Sequence, residues 1–188
     1  MGVFADPESR QAILTFVRET VAAEFANAPY PEVPDMPELR EKGACFVTLH
    51  SLPMPGGDGE TLRGCIGNLQ AFEALGENLR HNALNAAFKD PRFPALDPEE
   101  LPEVRFEVSI LSAPRAIAGV REFEIGTHGI ILQKDNRSAV FLPQVAPEQG
   151  WDKETTLHYL SLKAGLAANA WQMPDSRFFV FTATVFGE

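Results

Sequence analysis

The chain has 188 residues, 45% of them hydrophobic and 22% charged, an ordinary globular composition that excludes a mainly disordered chain. Sixteen basic residues against 26 acidic ones leave a net charge of −10, which counts against nucleic acid or an anionic membrane surface as main partner, because phosphate binding needs clustered Lys and Arg. No run reaches about 18 apolar residues, no secretory signal precedes Asp6, Glu8 and Arg10, and two cysteines are too few for a disulfide scaffold, so a cytoplasmic protein with free thiols and no membrane span is expected.

Asp6 before Pro7 reads as an N-cap with proline at the first helical position, and Ile13, Leu14, Val17, Val21 and Phe25 recur at helical spacing, so an amphipathic helix is expected over 7–27. Pro29, Pro31, Pro34 and Pro37 make 28–41 an extended connector. Residues 44–50 and 61–67 are strand-like and flank Pro53, Pro55 and the glycine-rich run 56–59, which predicts a hairpin with a long loop. Phe72, Leu75, Leu79, Ala83, Ala86 and Ala87 form one stripe, predicting a helix over 72–88 that Asp90-Pro91 stops.

Over 103–111 the chain alternates: Val104, Phe106, Val108 and Ile110 point one way, Arg105, Glu107, Ser109 and Leu111 the other. This is the pattern of a half-buried antiparallel strand. Residues 129–133 and 138–142 predict another hairpin with Asp135-Asn136 in its turn. Asp152 caps a helix over about 153–166, and 177–186 reads as one buried strand. Hairpins and alternation interspersed with helices indicate an α+β fold, an antiparallel sheet with flanking helices, and not a doubly wound parallel sheet.

Arg63-Gly64-Cys65-Ile66-Gly67 carries the most chemistry. On a regular strand Arg63, Cys65 and Gly67 share a face, a cation near a thiol favours the thiolate, and glycines let a ligand or another backbone approach closely. The plainer reading is an inert buried cysteine beside a bulge. His128, between Thr127 and Gly129, is either a base for Cys65 or a turn histidine bonded to backbone. Glu107 and Ser109 are either a carboxylate and hydroxyl in a cleft or a wet sheet face. Asp90 and Arg92 read as fixing the turn after the helix, His81 as solvated, and His50 and His158 have no supporting pattern. No HxxxH, HxH or CxxC spacing, Walker motif, GxGxxG or GxSxG elbow is present, so no metal and no cofactor are expected.

The segment Leu62-Arg63-Gly64-Cys65-Ile66-Gly67 resembles the signature of the AmmeMemoRadiSam system protein A family, the AMME chromosomal region protein family. Asp90-Pro91-Arg92-Phe93-Pro94, Glu107-Val108-Ser109-Ile110-Leu111, Gly126-Thr127-His128-Gly129-Ile130, Leu142-Pro143-Gln144-Val145-Ala146, Gly150-Trp151-Asp152 and Lys163-Ala164-Gly165-Leu166 resemble further blocks of that family, in its order. The resemblance implies a single domain of this type over 1–188, with a larger part, a smaller lobe and a cleft between them. The family is named for its gene neighbours, which implies a Memo-like protein and a radical S-adenosylmethionine enzyme as partners.

Two function classes follow. One is a catalytic or substrate-tethering component, with Cys65 as nucleophile, His128 and Glu107 as base and orienter, and Arg63, Gly64, Gly67 and Ser109 binding substrate. The other is a non-catalytic adaptor or small-molecule-binding module for the same partners.

Overall fold

A computed structural model describes residue 4, residues 6–52 and residues 59–188. The glycine-rich loop expected at 56–59, with Pro53 and Pro55, lies outside the described residues except for Gly59. The chain divides into two compact units, residues 1–111 with 184–188, and residues 112–183.

The first unit opens with α1 (Pro7–Ala26), capped by the Asp6 carboxylate, which accepts from the Ser9 N–H. The proline-rich connector is not extended throughout, because a one-turn helix, α2 (Pro37–Arg40), interrupts it and buries Leu39. β1 (Ala44–Ser51) and β2 (Thr61–Gly67) pair antiparallel, as expected of the hairpin. α3 (Leu75–Phe88) begins three residues later than the apolar stripe suggested. Residues 41–43 take up the preceding segment, with Ala74 bridged to Lys42 and the Gly43 N–H donating to the Glu73 carbonyl.

A 3-10 turn (Pro98–Glu103) leads into β3 (Val104–Leu111). The sheet order is β2-β1-β3-β8, where β8 is Ala183–Gly187. Val104, Phe106, Val108 and Ile110 join Cys45, Val47 and Leu49 on the face that packs with Ile13, Val17 and Val21 of α1 and Leu79 and Ala83 of α3. The alternation read from β3 therefore holds.

The second unit has a sheet of order β4-β7-β5-β6, with β4 Arg115–Ile117, β5 Gly129–Lys134, β6 Arg137–Phe141 and β7 Arg177–Phe181. Leu157, Leu160 and Ala164 of the helical segment pack against Ile130, Leu132, Phe178 and Val180. That segment begins as α5 (Lys153–Lys163), capped by Asp152, and closes at Gly165, whose φ of +71° suits glycine. A short α4 (Val145–Gln149) that periodicity did not announce precedes it.

The stretch 177–186 is not one strand. Thr182 breaks it, exchanging bonds with Ser112: the Ser112 N–H donates to the Thr182 carbonyl and the Thr182 N–H to Ser112 Oγ. β7 and β8 therefore belong to different sheets.

Candidate site on the polar face of the first sheet

Opposite the packed face, three strands present one rung after another. Cys65 on β2 faces Thr48 on β1, which faces Glu107 on β3; the next rung is Gly67, Phe46 and Ser109. Residues directly across a sheet share a face. The structure thus brings Cys65, Glu107 and Ser109 to one face, with β1 between their strands.

Cys65 is half-buried and free. Its N–H donates to Asp90 Oδ2 at 2.9 Å, and its carbonyl accepts from Arg92 Nη2 at 3.1 Å. Both main-chain groups thus point away from β1, so Cys65 and Thr48 form a non-hydrogen-bonded pair, the kind that brings side chains closest. Thr48 Oγ1 donates to Cys65 Sγ at 3.3 Å.

Asp90 is the centre of the clamp on Cys65. It is 4% exposed and accepts from the Arg92 N–H at 3.1 Å, Arg92 Nε at 2.9 Å and Arg92 Nη2 at 2.6 Å, besides Cys65. The Arg92 guanidinium, aided by the Cys65 and Arg92 N–H groups, holds its carboxyl well below the usual carboxylate range. Asp90 and Arg92 do shape the turn after α3, but that turn also immobilises the backbone of Cys65.

Arg63 is not the cation beside the thiol. The β1–β2 register passes over it, pairing Leu49 with Gly64 and His50 with Leu62, so the regular alternation that placed Arg63 on the Cys65 face does not carry across it. Its guanidinium makes 2.8 Å bonds to both Glu100 carboxylate oxygens and donates to the Pro94 carbonyl at 3.0 Å. Glu100 also raises the Arg63 pKa.

The glycines make room for the protein itself. A methyl group on Gly64 would sit 2.2 Å from the Ala86 carbonyl oxygen of α3, and one on Gly67 2.2 Å from Phe46 Cγ.

His128 belongs to the second unit, in the turn before β5. Its Nδ1 accepts from the Glu124 N–H at 3.1 Å, and its own N–H donates to the Glu124 carbonyl at 2.9 Å. It has the contacts of a turn histidine bonded to backbone. The histidine that shares the first sheet with Cys65 is His50, two residues from Thr48 on β1, with Nε2 4.0 Å from Glu107 Oε1. Sequence reading missed it; the available signal was that His50, Thr48 and Phe46 alternate on the strand paired with the Cys65 strand.

Below the other face lies a polar network that periodicity also missed. Asn78 and Asn82, both buried on α3, surround Cys45: Asn78 Oδ1 accepts from the Cys45 N–H at 3.1 Å, and Asn82 Nδ2 donates to the Cys45 carbonyl at 3.1 Å. Asn78 Nδ2 donates to Asn68 and Glu73, each at 2.9 Å, and His81 Nδ1 lies 3.0 Å from Glu73 Oε2. Burial pushes the Cys45 thiol up to about 12.

Among the described residues no group of three or more His, Cys, Asp and Glu is placed to hold a metal ion, and no helix is long and apolar enough to cross a membrane.

The AMMECR1 family model matches residues 14–186. The Methanopyrus kandleri protein MK0488 is 42% identical over 164 residues, covering 84% of this chain and 77% of that protein. The Thermococcus kodakarensis protein TK0174 is 38% identical over 194 residues, covering 100% of this chain and 90% of that one. The crystal structure of the uncharacterized protein PH0010 from Pyrococcus horikoshii superposes with a TM-score of 0.80 at 35% identity, covering 94% of this chain and 89% of that one.

Proposed function

The chain belongs to the AMMECR1 family, and on that premise we propose that it is a cytoplasmic component of a modification system in which the Cys65 thiol takes an acyl group from an activated acyl donor, the thioester S–C bond forming as the donor's bond to its leaving group breaks and the thiol proton going to that group. The system's other members are a Memo-like protein and a radical S-adenosylmethionine enzyme. The observation that carries the reading is the placement of Cys65: half-buried, with N–H and carbonyl both clamped by Asp90 and Arg92, and Sγ accepting from Thr48. A thiol whose backbone cannot shift is positioned for a directed covalent step.

His50 and Glu107 support the same reading. They occupy the same sheet face, and diagonal neighbours on a face lie about 7–8 Å apart, within reach of long side chains. An imidazole beside a carboxylate can take a thiol proton and hold the resulting charge. His128 and Glu107 are the expected base and orienter; His128 is bonded to the backbone of its own turn, and in this reading His50, on the Cys65 face, takes the part of base.

The test is intact-mass and peptide-mapping analysis after incubation with a small-molecule cell extract, with and without the two partner proteins. An adduct on the peptide containing Cys65, absent in Cys65→Ser and slowed in His50→Ala, is the expected result. If no adduct forms on Cys65 while the protein still binds a partner, the thiol has no covalent role and the adaptor reading replaces it.

A further inference from the structure

Away from Cys65, one side of α1 and the proline-rich connector enclose an open groove of about 510 Å³ within the first unit. Half-buried Pro31 and Pro34 line it with apolar surface, the Phe16 ring lies buried at its floor, and Glu8, Glu19 and Glu32 stand around them. All three carboxylates are exposed, and none has a basic partner among the described residues.

The nearby cations are committed elsewhere. Arg10 donates to the Phe4 carbonyl and lies over the Phe186 ring. Arg18 pairs with Glu188. Arg80, beneath the groove over the Phe16 ring, pairs with Glu77 and donates to the Pro31 carbonyl. The groove therefore combines apolar surface, rigid proline walls and uncompensated negative charge.

We propose that this groove docks an extended basic segment of a partner protein, with an apolar residue seated against Pro31 and Pro34 between two flanking cations. Spacing sets the pattern. Glu8 and Glu19 are eleven residues apart on one helix face, roughly 16 Å at about 1.5 Å per residue. An extended peptide advances about 3.3 Å per residue, so its two cations would stand about five positions apart. Proline walls lose little freedom on binding. The groove's acidic rim, together with the chain's net charge of −10, disfavours a second copy of the same chain.

The test uses a fluorescein-labelled peptide, GRALAVRG, with GEALAVEG as control, and anisotropy titration of the intact chain. The expected result is saturable binding of the arginine peptide that weakens as salt is raised, and no binding of the glutamate peptide. The triple variant Glu8→Gln, Glu19→Gln, Glu32→Gln should weaken binding about tenfold or more, at rim-contact strengths summed over three sites. These residues are exposed, and an unchanged melting curve for the variant shows that the fold is intact. No saturable binding below about 1 mM, or equal binding by the triple variant, overturns the proposal. Neither outcome depends on Cys65, so a Cys65→Ser chain should bind the peptide as the parent does.

Discussion

Replacing Asp90 with asparagine keeps the side-chain volume and removes the charge at the centre of the Cys65 clamp. The carboxylate accepts four hydrogen bonds, one from the Cys65 N–H and three from Arg92. An amide keeps one oxygen and turns two N–H donors toward groups that are themselves donors. Losing two charge-assisted bonds at a 4%-exposed site would cost several kcal/mol, but the Arg92 side chain is 53% exposed and water screens its share. The expected loss is about 2–3 kcal/mol, or a melting temperature lower by roughly 5–10 °C for a chain of this size.

Both tryptophans, Trp151 and Trp171, lie in the second unit, so urea unfolding should be followed by far-UV circular dichroism and not by indole fluorescence. The pH dependence has a definite sign. The folded-state pKa of Asp90 is depressed, so its stabilising contribution is full above the ordinary aspartate value near 4 and is lost as pH falls through the lower folded value. The gap between parent and variant should therefore be widest near neutral pH and narrow on acidification below about pH 4. A gap under about 0.5 kcal/mol at neutral pH, or one that stays constant down to about pH 3, would refute the clamp.

Iodoacetamide should alkylate Cys65 well before Cys45, because Cys45 is fully buried with its thiol pushed up to about 12; equal rates by peptide mapping would contradict that burial. Gly64→Ala should cost about 3 kcal/mol or more, since the new methyl meets a backbone carbonyl at 2.2 Å, whereas Gly119→Ala, with nothing within 4 Å, should be near neutral in the same melt. Asn78→Ala should destabilise by about 2–3 kcal/mol by orphaning the Cys45 N–H and removing the donor to Asn68 and Glu73, with faster amide exchange at Cys45 as its local signature.

The elements that periodicity sets were legible. α1, β2, α3 and β3 fall within a few residues of their expected bounds, because each buries one face against a partner of its own unit. What escaped reading depends on contacts between distant residues. The split of 177–186 needs Ser112, seventy positions away from Thr182. The displacement of Arg63 from the Cys65 face needs a bulge and Glu100.

Several family blocks turn out to be stops and starts. Gly150 ends α4 at a φ of +65°, Asp152 caps α5, and Gly165 follows α5 with the Leu166 N–H reaching back to the Ser161 carbonyl. The candidate site was half legible: Cys65, Glu107 and Ser109 were singled out, but strand order alone reveals that β1 lies between them and contributes Thr48 and His50.

The clamp on Cys65 also bears on how these molecules coexist in solution. β2 is the outermost strand of its sheet, and an outermost strand offers bare N–H and carbonyl groups to any other chain in extended form. Here Asp90 and Arg92 occupy that pair of groups at mid-strand, and Arg92 projects a half-exposed guanidinium from the same border. Two copies cannot pair through Cys65 on β2 without first expelling a buried carboxylate from its bonds. The Asp-Pro-Arg turn is therefore a guard against strand-to-strand aggregation, and a chain that lost it would be expected to form oligomers before it unfolded.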